Sequence, residues 1–381
     1  MDHYALAADK LYRYLVTNHG DGGALVGPDP GIRFNYRIGR FVKGYLGFVR
    51  WNDQLYYLQG QAYWILANWI LHERTGDESY ARTAIDCADK ILARQRPDGA
   101  WDYPNPEWAG RVATVEGTWA SIGLIETFRR TGEQRLLDGA LRWHSYLQRE
   151  IGFQRIGDEV AVNYFARRTD ARVPNNSTLY LYLLGALWAT TKDQRYLDET
   201  PGLVTFLERA QLSTGELPYS VDGLEDTRGR THFQCYQYNA FECLDLIQYH
   251  TLTGDDRVLP IISNVLRFLS DGIREDGHAA YACNSVQRRV SYHTGALAAA
   301  FTEARRVGID DYTPLARKAY AYLISLQRPD GGFIHSQRDY GVLRDVRSYP
   351  RYLAMILYHL LIAEALTEDT TGKEAAYDSV R

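Results

Sequence analysis

The sequence predicts an all-α protein, a single (α/α)6 toroid in which six helical hairpins close into an inner and an outer ring. Three observations predict it. A five-residue turn, Gln-Arg-Pro-Asp-Gly, occurs at 95–99 and again at 327–331, each time with an aromatic residue two places on, Trp101 and Phe333. Looser versions of that turn recur along the chain, and long internal periods mark repeat architectures. Two kinds of helical pattern alternate between the turns, one apolar nearly all round and one amphipathic.

Taken in order, the turns begin at Asn18 (NHGDGGAL), Gln95 (QRPDGAWDY), Ile151 (IGFQRIGDEVAVNY), Gln211 (QLSTGELPY), Ile273 (IREDGHAAY) and Gln327 (QRPDGGF). They stand roughly fifty-five to seventy-five residues apart, room for one helical hairpin and its loops. A second signature lies between them at 73–84, 129–140, 189–200, 250–261 and 304–315. There a helix ends at Gly or a polar turn, and the next starts behind an acidic residue, as helix-end chemistry favours. The segments 55–70, 118–128, 178–189, 240–248, 295–304 and 352–366 are apolar on most sides and predict the inner ring. The segment 80–92 carries one stripe, Tyr80, Ala84, Cys87, Ala88, Ile91 and Leu92, and predicts an outer helix. Strand patterns are confined to short pieces such as 159–164. The toroid is expected to occupy 1–367, and the polar residues 368–381 read as a disordered tail.

Composition excludes several classes. With 45% hydrophobic and 24% charged residues the 381-residue chain is an ordinary globular one. Its net charge of −4 is no footprint for nucleic acid. No run is long and apolar enough to span a membrane, and the N-terminus mixes charge into its apolar residues, unlike a signal peptide. Cys87, Cys235, Cys243 and Cys283 form no Cys-x-x-Cys pair and read as free thiols in a reducing cytoplasm. Neither a metal nor another cofactor is expected from these spacings.

The chain is rich in tyrosine, with 29. Tyr offers an apolar face and a polar tip, which suits a wet, aromatic-lined cavity. In a toroid the crossing turns and the inner-helix N-termini share one end, so their residues converge there. The turns bring Tyr103, Tyr164, Tyr219 and Tyr281. The inner helices bring Gln61, Glu116, Trp119, Asn176, Tyr180, Tyr238, Asn239, Tyr292, His293, Arg347 and Arg351. Such a ring suits a sugar, whose faces stack on aromatics and whose hydroxyls take amide and guanidinium partners. The long first crossing, 27–54, places Arg33, Arg37 and Arg40 among Asn35, Tyr36 and other aromatics, as in a lid over an anionic substrate.

The quoted turns and alternating helices resemble the superfamily of alpha/alpha toroids, which holds six-hairpin glycosidases, uronate lyases and epimerases, terpenoid cyclases and protein prenyltransferases. The stretch Gln95–Trp101 is similar to the QW turn of terpenoid cyclases. The Asp-x-Asp-Asp and DDxxD motifs of isoprenoid chemistry are absent, and Asp255-Asp256 and Asp310-Asp311 fall at outer-helix starts. No Cys–His spacing matches the zinc sites of prenyltransferases or lanthionine cyclases. A terpenoid cyclase-like enzyme without those motifs is thus one alternative. The stretch RRVSYHTGAL (288–297) resembles the Tyr-His-Thr stretch of glucuronyl C5-epimerases, although the β-domain of those enzymes has no counterpart here. The resemblance implies Tyr292 and His293 as the base and acid of proton abstraction at a uronate C5, with Arg347 and Arg351 gripping the carboxylate and Tyr164 nearby. The expected partner is therefore an anionic, uronic-acid-containing glycan. A glycoside hydrolase would instead use paired carboxylates, with Glu116 and Glu242 as candidates, and the helix N-terminus at Glu116 is expected to lower its pKa. A glycan-binding toroid without catalysis is the remaining alternative.

Overall fold

In the computed structural model the described residues are 3–31, 38–169, 171–221, 231–285, 288–309, 312–339 and 341–366. The helices are α1 (His3–His19), α2 (Ile38–Tyr45), α3 (Leu58–Thr75), α4 (Glu78–Ala93), α5 (Thr114–Thr131), α6 (Gln134–Tyr146), α7 (Pro174–Thr191), α8 (Thr200–Ala210), α9 (Cys235–Thr253), α10 (Leu259–Ser270), α11 (Ser291–Glu303), α12 (Thr313–Ser325) and α13 (Pro350–Ala363). The inner helices α3, α5, α7, α9, α11 and α13 each pack against the next, and α13 closes the ring on α3. The outer helices α4, α6, α8, α10 and α12 pack on the inner helices they are joined to, and α1 covers α13. The architecture is the (α/α)6 toroid, its last hairpin made from both chain ends, with α2 added in the first crossing. The expected tail from residue 368 lies outside the described residues.

The two helix classes follow their burial. Helix α7 buries almost every position from Asn176 to Leu187, as a helix apolar all round must. Helix α4 buries only Ala81, Ala84, Cys87, Ala88 and Ile91, while Tyr80 and Leu92 are half-buried at the edge of the stripe. Inner helices α3, α5 and α9 end at left-handed Gly76, Gly132 and Gly254, and Lys192 takes that conformation after α7. Asp77 then caps α4 by accepting from the Ser79 N–H at 2.8 Å.

Among the described residues the strands sit in the crossings at the end where inner helices begin. They are β1 (Gly20–Asp21) with β2 (Ala24–Leu25), β3 (Phe153–Ile156) with β4 (Glu159–Val162), and β5 (Arg289–Val290), β6 (Ser336–Asp339) and β7 (Leu343–Asp345) in one antiparallel sheet.

The repeated turn has a packing reason. The Gln95 amide donates to the carbonyl of Gly99 in its own turn, at 2.9 Å, and to Gly139 on α6, at 2.8 Å. Gln211 does the same toward Gly215 and Ile261 of α10, and Gln327 toward Gly331 and Ala7 of α1. Each turn thus ends one outer helix and staples it to the next, and the copy at 327–331 closes the outer ring onto the chain start. The turn glycine must press against that neighbour. Gly331 has φ +94°, and a Cβ there would lie 2.3 Å from the Lys10 carbonyl oxygen. Gly331→Ala is therefore expected to cost about 3 kcal/mol, read as a lower urea midpoint.

Candidate active site

The inner-helix N-termini and the crossings place a ring of phenols at one end of the toroid. Tyr57, just before α3, meets Tyr103 with ring centroids 6.1 Å apart. Tyr164 is close enough to Tyr103 to oppose its ionisation, and Tyr219 is close enough to Tyr164 to do the same. Tyr219 packs edge-on to Tyr238 at 5.0 Å. Tyr238 feels Tyr281 and Tyr292, and Tyr292 stacks on Tyr352 at 4.2 Å. The Arg351 guanidinium closes the circuit, 4.5 Å from the Tyr352 ring and 4.0 Å from the Tyr57 ring. Burial pushes the phenols of Tyr57, Tyr103, Tyr164, Tyr238 and Tyr292 above their ordinary pKa, so they serve as neutral hydrogen-bonding groups.

Glu116 opens α5 and is 1% exposed. Its Oε2 accepts from the Leu58 N–H at 2.6 Å and the Gln59 N–H at 3.3 Å, so it caps the neighbouring helix α3 rather than its own. Its Oε1 is buried and bonded to no described residue. Burial raises its pKa to about 7, against the pull of Arg351 and of those two N–H groups. The expected lowering by the helix end is thus overturned by desolvation, which wins where the carboxyl is shut off from water. Arg351 is held in turn by Asp29 of the first crossing, with Nη2 to Oδ1 at 3.0 Å and Nε to Oδ2 at 2.8 Å.

Several predicted site residues do other work. Gln61 clips the Leu25 backbone with both amide atoms, at 2.9 and 2.6 Å, and Asn239 clips Leu217 at 2.7 and 2.8 Å. These two tie a turn to the following inner helix. Tyr180 faces the outer layer, where its hydroxyl meets Gln148 at 3.1 Å and His144 at 3.2 Å. Arg347 donates to the carbonyls of Lys43, Leu46 and Val49 and anchors the first crossing instead of gripping a substrate. Asn176 is buried with neither amide atom bonded to a described residue. Trp119 belongs to a second aromatic layer in the lumen, 4.5 Å from Tyr63 and 6.3 Å from Tyr182. Glu242 and Asp245 are buried, and desolvation holds both carboxyls well above the ordinary range. Arg33, Arg37, Asn35 and Tyr36 lie outside the described residues, as does the side chain of Arg40.

The expected Tyr292–His293 acid–base pair meets an electrostatic obstacle. Burial, then Tyr352, pushes the Tyr292 phenol well up, and the pull of Arg351 does not offset it. Burial and the Arg288 charge push His293 down to about 3, so it is a neutral imidazole at neutral pH. Tyr292→Phe is therefore expected to keep turnover within about tenfold of wild type in a steady-state assay, since it removes a hydroxyl and no charge.

Sequence reasoning passed over Tyr57, Asp29 and His335. His335 is half-buried, its ring 5.2 Å from Tyr352 and 6.1 Å from Tyr292. The signal for it was present. Tyr103, Tyr219 and Tyr281 each stand four places after the turn glycine, and so does His335 after Gly331.

The chain matches no protein-family model and no curated protein sequence. Its fold matches solved structures. A cellobiose 2-epimerase from Bacillus thermoamylovorans B4167 superposes with a TM-score of 0.73 at 12% identity, over 94% of this chain and 98% of that one. A possible GH105 member from Salmonella enterica serovar Paratyphi A gives 0.68 at 13% identity, over 95% and 93%. A polysaccharide lyase gives 0.66 at 11% identity, over 95% and 97%. At these identities what is shared is the toroid of the six-hairpin enzymes. No described helix is long and apolar enough to cross a membrane.

Proposed function

We propose that this protein is a carbohydrate-active enzyme that moves a proton at a sugar carbon next to a carbonyl or carboxylate, in an epimerase- or lyase-type reaction, with Glu116 as the titrating base. Glu116 itself is the observation that carries this reading. A general base works best with a pKa near the operating pH, and burial brings this carboxyl to about 7. One of its oxygens is fixed by a helix end and the other is bonded to no described residue, beside a ring of phenols suited to a sugar's faces and hydroxyls. His335, in the register of the ring tyrosines, is the partner that returns the proton. The sugar epimerases and lyases that share the fold make this chemistry a natural use of it.

Hydrolysis has less support. It needs two carboxyl groups flanking a bond, one of them ionised. Among the described carboxyl groups, the one that acts on Glu116 is Asp29, and it is engaged by Arg351. A uronate substrate would draw its cation from the first crossing, because Arg351, Arg347 and Arg288 are already engaged by Asp29, lid carbonyls and Asp339.

Incubation in deuterated water with uronate oligosaccharides and, separately, with neutral reducing disaccharides tests the proposal by NMR. Exchange at the carbon beside the carbonyl or carboxylate, or an unsaturated product, is the expected result. New reducing ends without exchange would mean hydrolysis, and no change with either sugar set would remove the enzymatic reading.

A further inference from the structure

Spacing in the sequence hides a cluster of metal-binding side chains at the rim. Cys235 opens α9, and Cys283 lies in the crossing between α10 and α11, 48 positions on. The fold brings their sulfurs to 2.9 Å. Glu216, next to the glycine of the fourth turn, joins them, with its carboxylate and both sulfurs all within 4.8 Å of one another. The Glu216 side chain is 1% exposed. His232 stands outside that group of three and reaches it through Glu216, its Nδ1 2.8 Å from Oε2.

We propose that Cys235, Cys283, Glu216 and His232 bind one zinc-class divalent cation in a structural role. The donor set is the first reason. Two thiolates, an imidazole and a carboxylate select zinc among common cations, and four protein ligands make a closed, structural site. The second reason is Glu216. A buried carboxylate is ordinarily paired or bound to a metal. Here it is hydrogen-bonded to a histidine with 42% of its side chain exposed, while two sulfurs lie within 4.8 Å of it. A disulfide would leave that carboxylate beside an uncharged bridge.

The third reason is geometry. Tetrahedral zinc with bonds of about 2.3 Å to sulfur holds its two sulfurs roughly 3.8 Å apart. Small side-chain rotations reach that from 2.9 Å. The Cys283 to Glu216 separation of 3.8 Å is already close to a ligand–ligand distance. The Cys283 N–H donates to the Cys235 sulfur at 3.1 Å, an outer-shell bond that favours a thiolate. Cys283 is exposed, which gives the ion a route from solvent. Bound there, the ion would tie the turn at Glu216 to the start of α9 and to the next crossing, fixing the bases of the segments that carry Tyr219 and Tyr281.

The test uses the full chain, purified without a polyhistidine tag. Elemental analysis should find about one zinc per chain. Cobalt added after chelation should give the intense near-ultraviolet band of thiolate-to-cobalt charge transfer. Cys283→Ser, at an exposed position, should keep the circular dichroism of the wild type and lose metal affinity by about 100-fold or more. His232→Ala should weaken binding in the same direction. Wild-type protein without zinc and without the cobalt band would overturn the proposal. So would equal affinity in Cys283→Ser, or an intact mass lower by two hydrogens with a Cys235–Cys283 crosslinked peptide.

Discussion

Glu116→Gln is expected to lower turnover by about 10²–10⁴-fold while leaving the fold intact. The amide is nearly isosteric. Its carbonyl oxygen can accept the Leu58 and Glu116-facing Gln59 N–H bonds, and its NH2 group takes the place of the carboxyl oxygen that has no described partner. What it loses is the ability to take a proton. The pH profile supplies a second check. The wild-type rate should rise through about pH 7 as the base ionises, because burial sets that pKa. Stability should move the other way. The folded pKa of about 7 lies above the ordinary 4.5, so the folded state binds more protons between those values. Stability is full below the lower value and is lost as pH rises through the upper one, by about 3 kcal/mol. Glu116→Gln has no such loss, so urea melts of the two proteins should diverge in its favour between pH 4.5 and 7. Turnover within tenfold of wild type would leave Glu116 a helix cap only.

How much of this was legible follows from what each residue depends on. The hairpin count and the end at which the site lies depend on local periodicity, and a linear reading captures them. The tyrosines follow from a register within one turn, as Tyr103, Tyr219 and Tyr281 show. Helix phase is harder. Tyr238 and Asn239 are adjacent, yet about 100° of helical rotation sends one into the ring and the other back to clip Leu217. Tyr180 likewise faces α6, because an inner helix is apolar all round and its pattern marks no lumen side. Least legible are partners set by ring closure. Asp29 and Arg351 stand 322 positions apart, and Cys235 and Cys283 share no motif. The titration of Glu116 depended on burial that only packing reveals.

The Asp29–Arg351 pair should give the largest stability effect in the molecule. Asp29 is 1% exposed, and Arg351 is half-buried between the Tyr57 and Tyr352 rings. Burial alone would lower the guanidinium's pKa, but Asp29 and the surrounding phenols more than offset it. Removing one partner strands a charge away from water, which costs about 3–5 kcal/mol. Arg351→Met should incur that loss, because it removes both contacts that the guanidinium makes with the Asp29 carboxylate. Asp29→Asn should lose less, since the amide oxygen can still accept from Arg351. The double change, Asp29→Asn with Arg351→Met, removes both charges of the pair and should recover a large part of the loss. A double-mutant cycle by urea unfolding reads this directly, with a coupling energy of about 2 kcal/mol or more expected. Additive losses would mean that the two side chains do not act as a pair. Coupling also bears on the site. Arg351 pulls on Glu116, so Arg351→Met should raise the carboxyl's pKa further and shift the rising limb of the rate profile to higher pH. A limb that stays in place would separate Arg351 from the proton-transfer group.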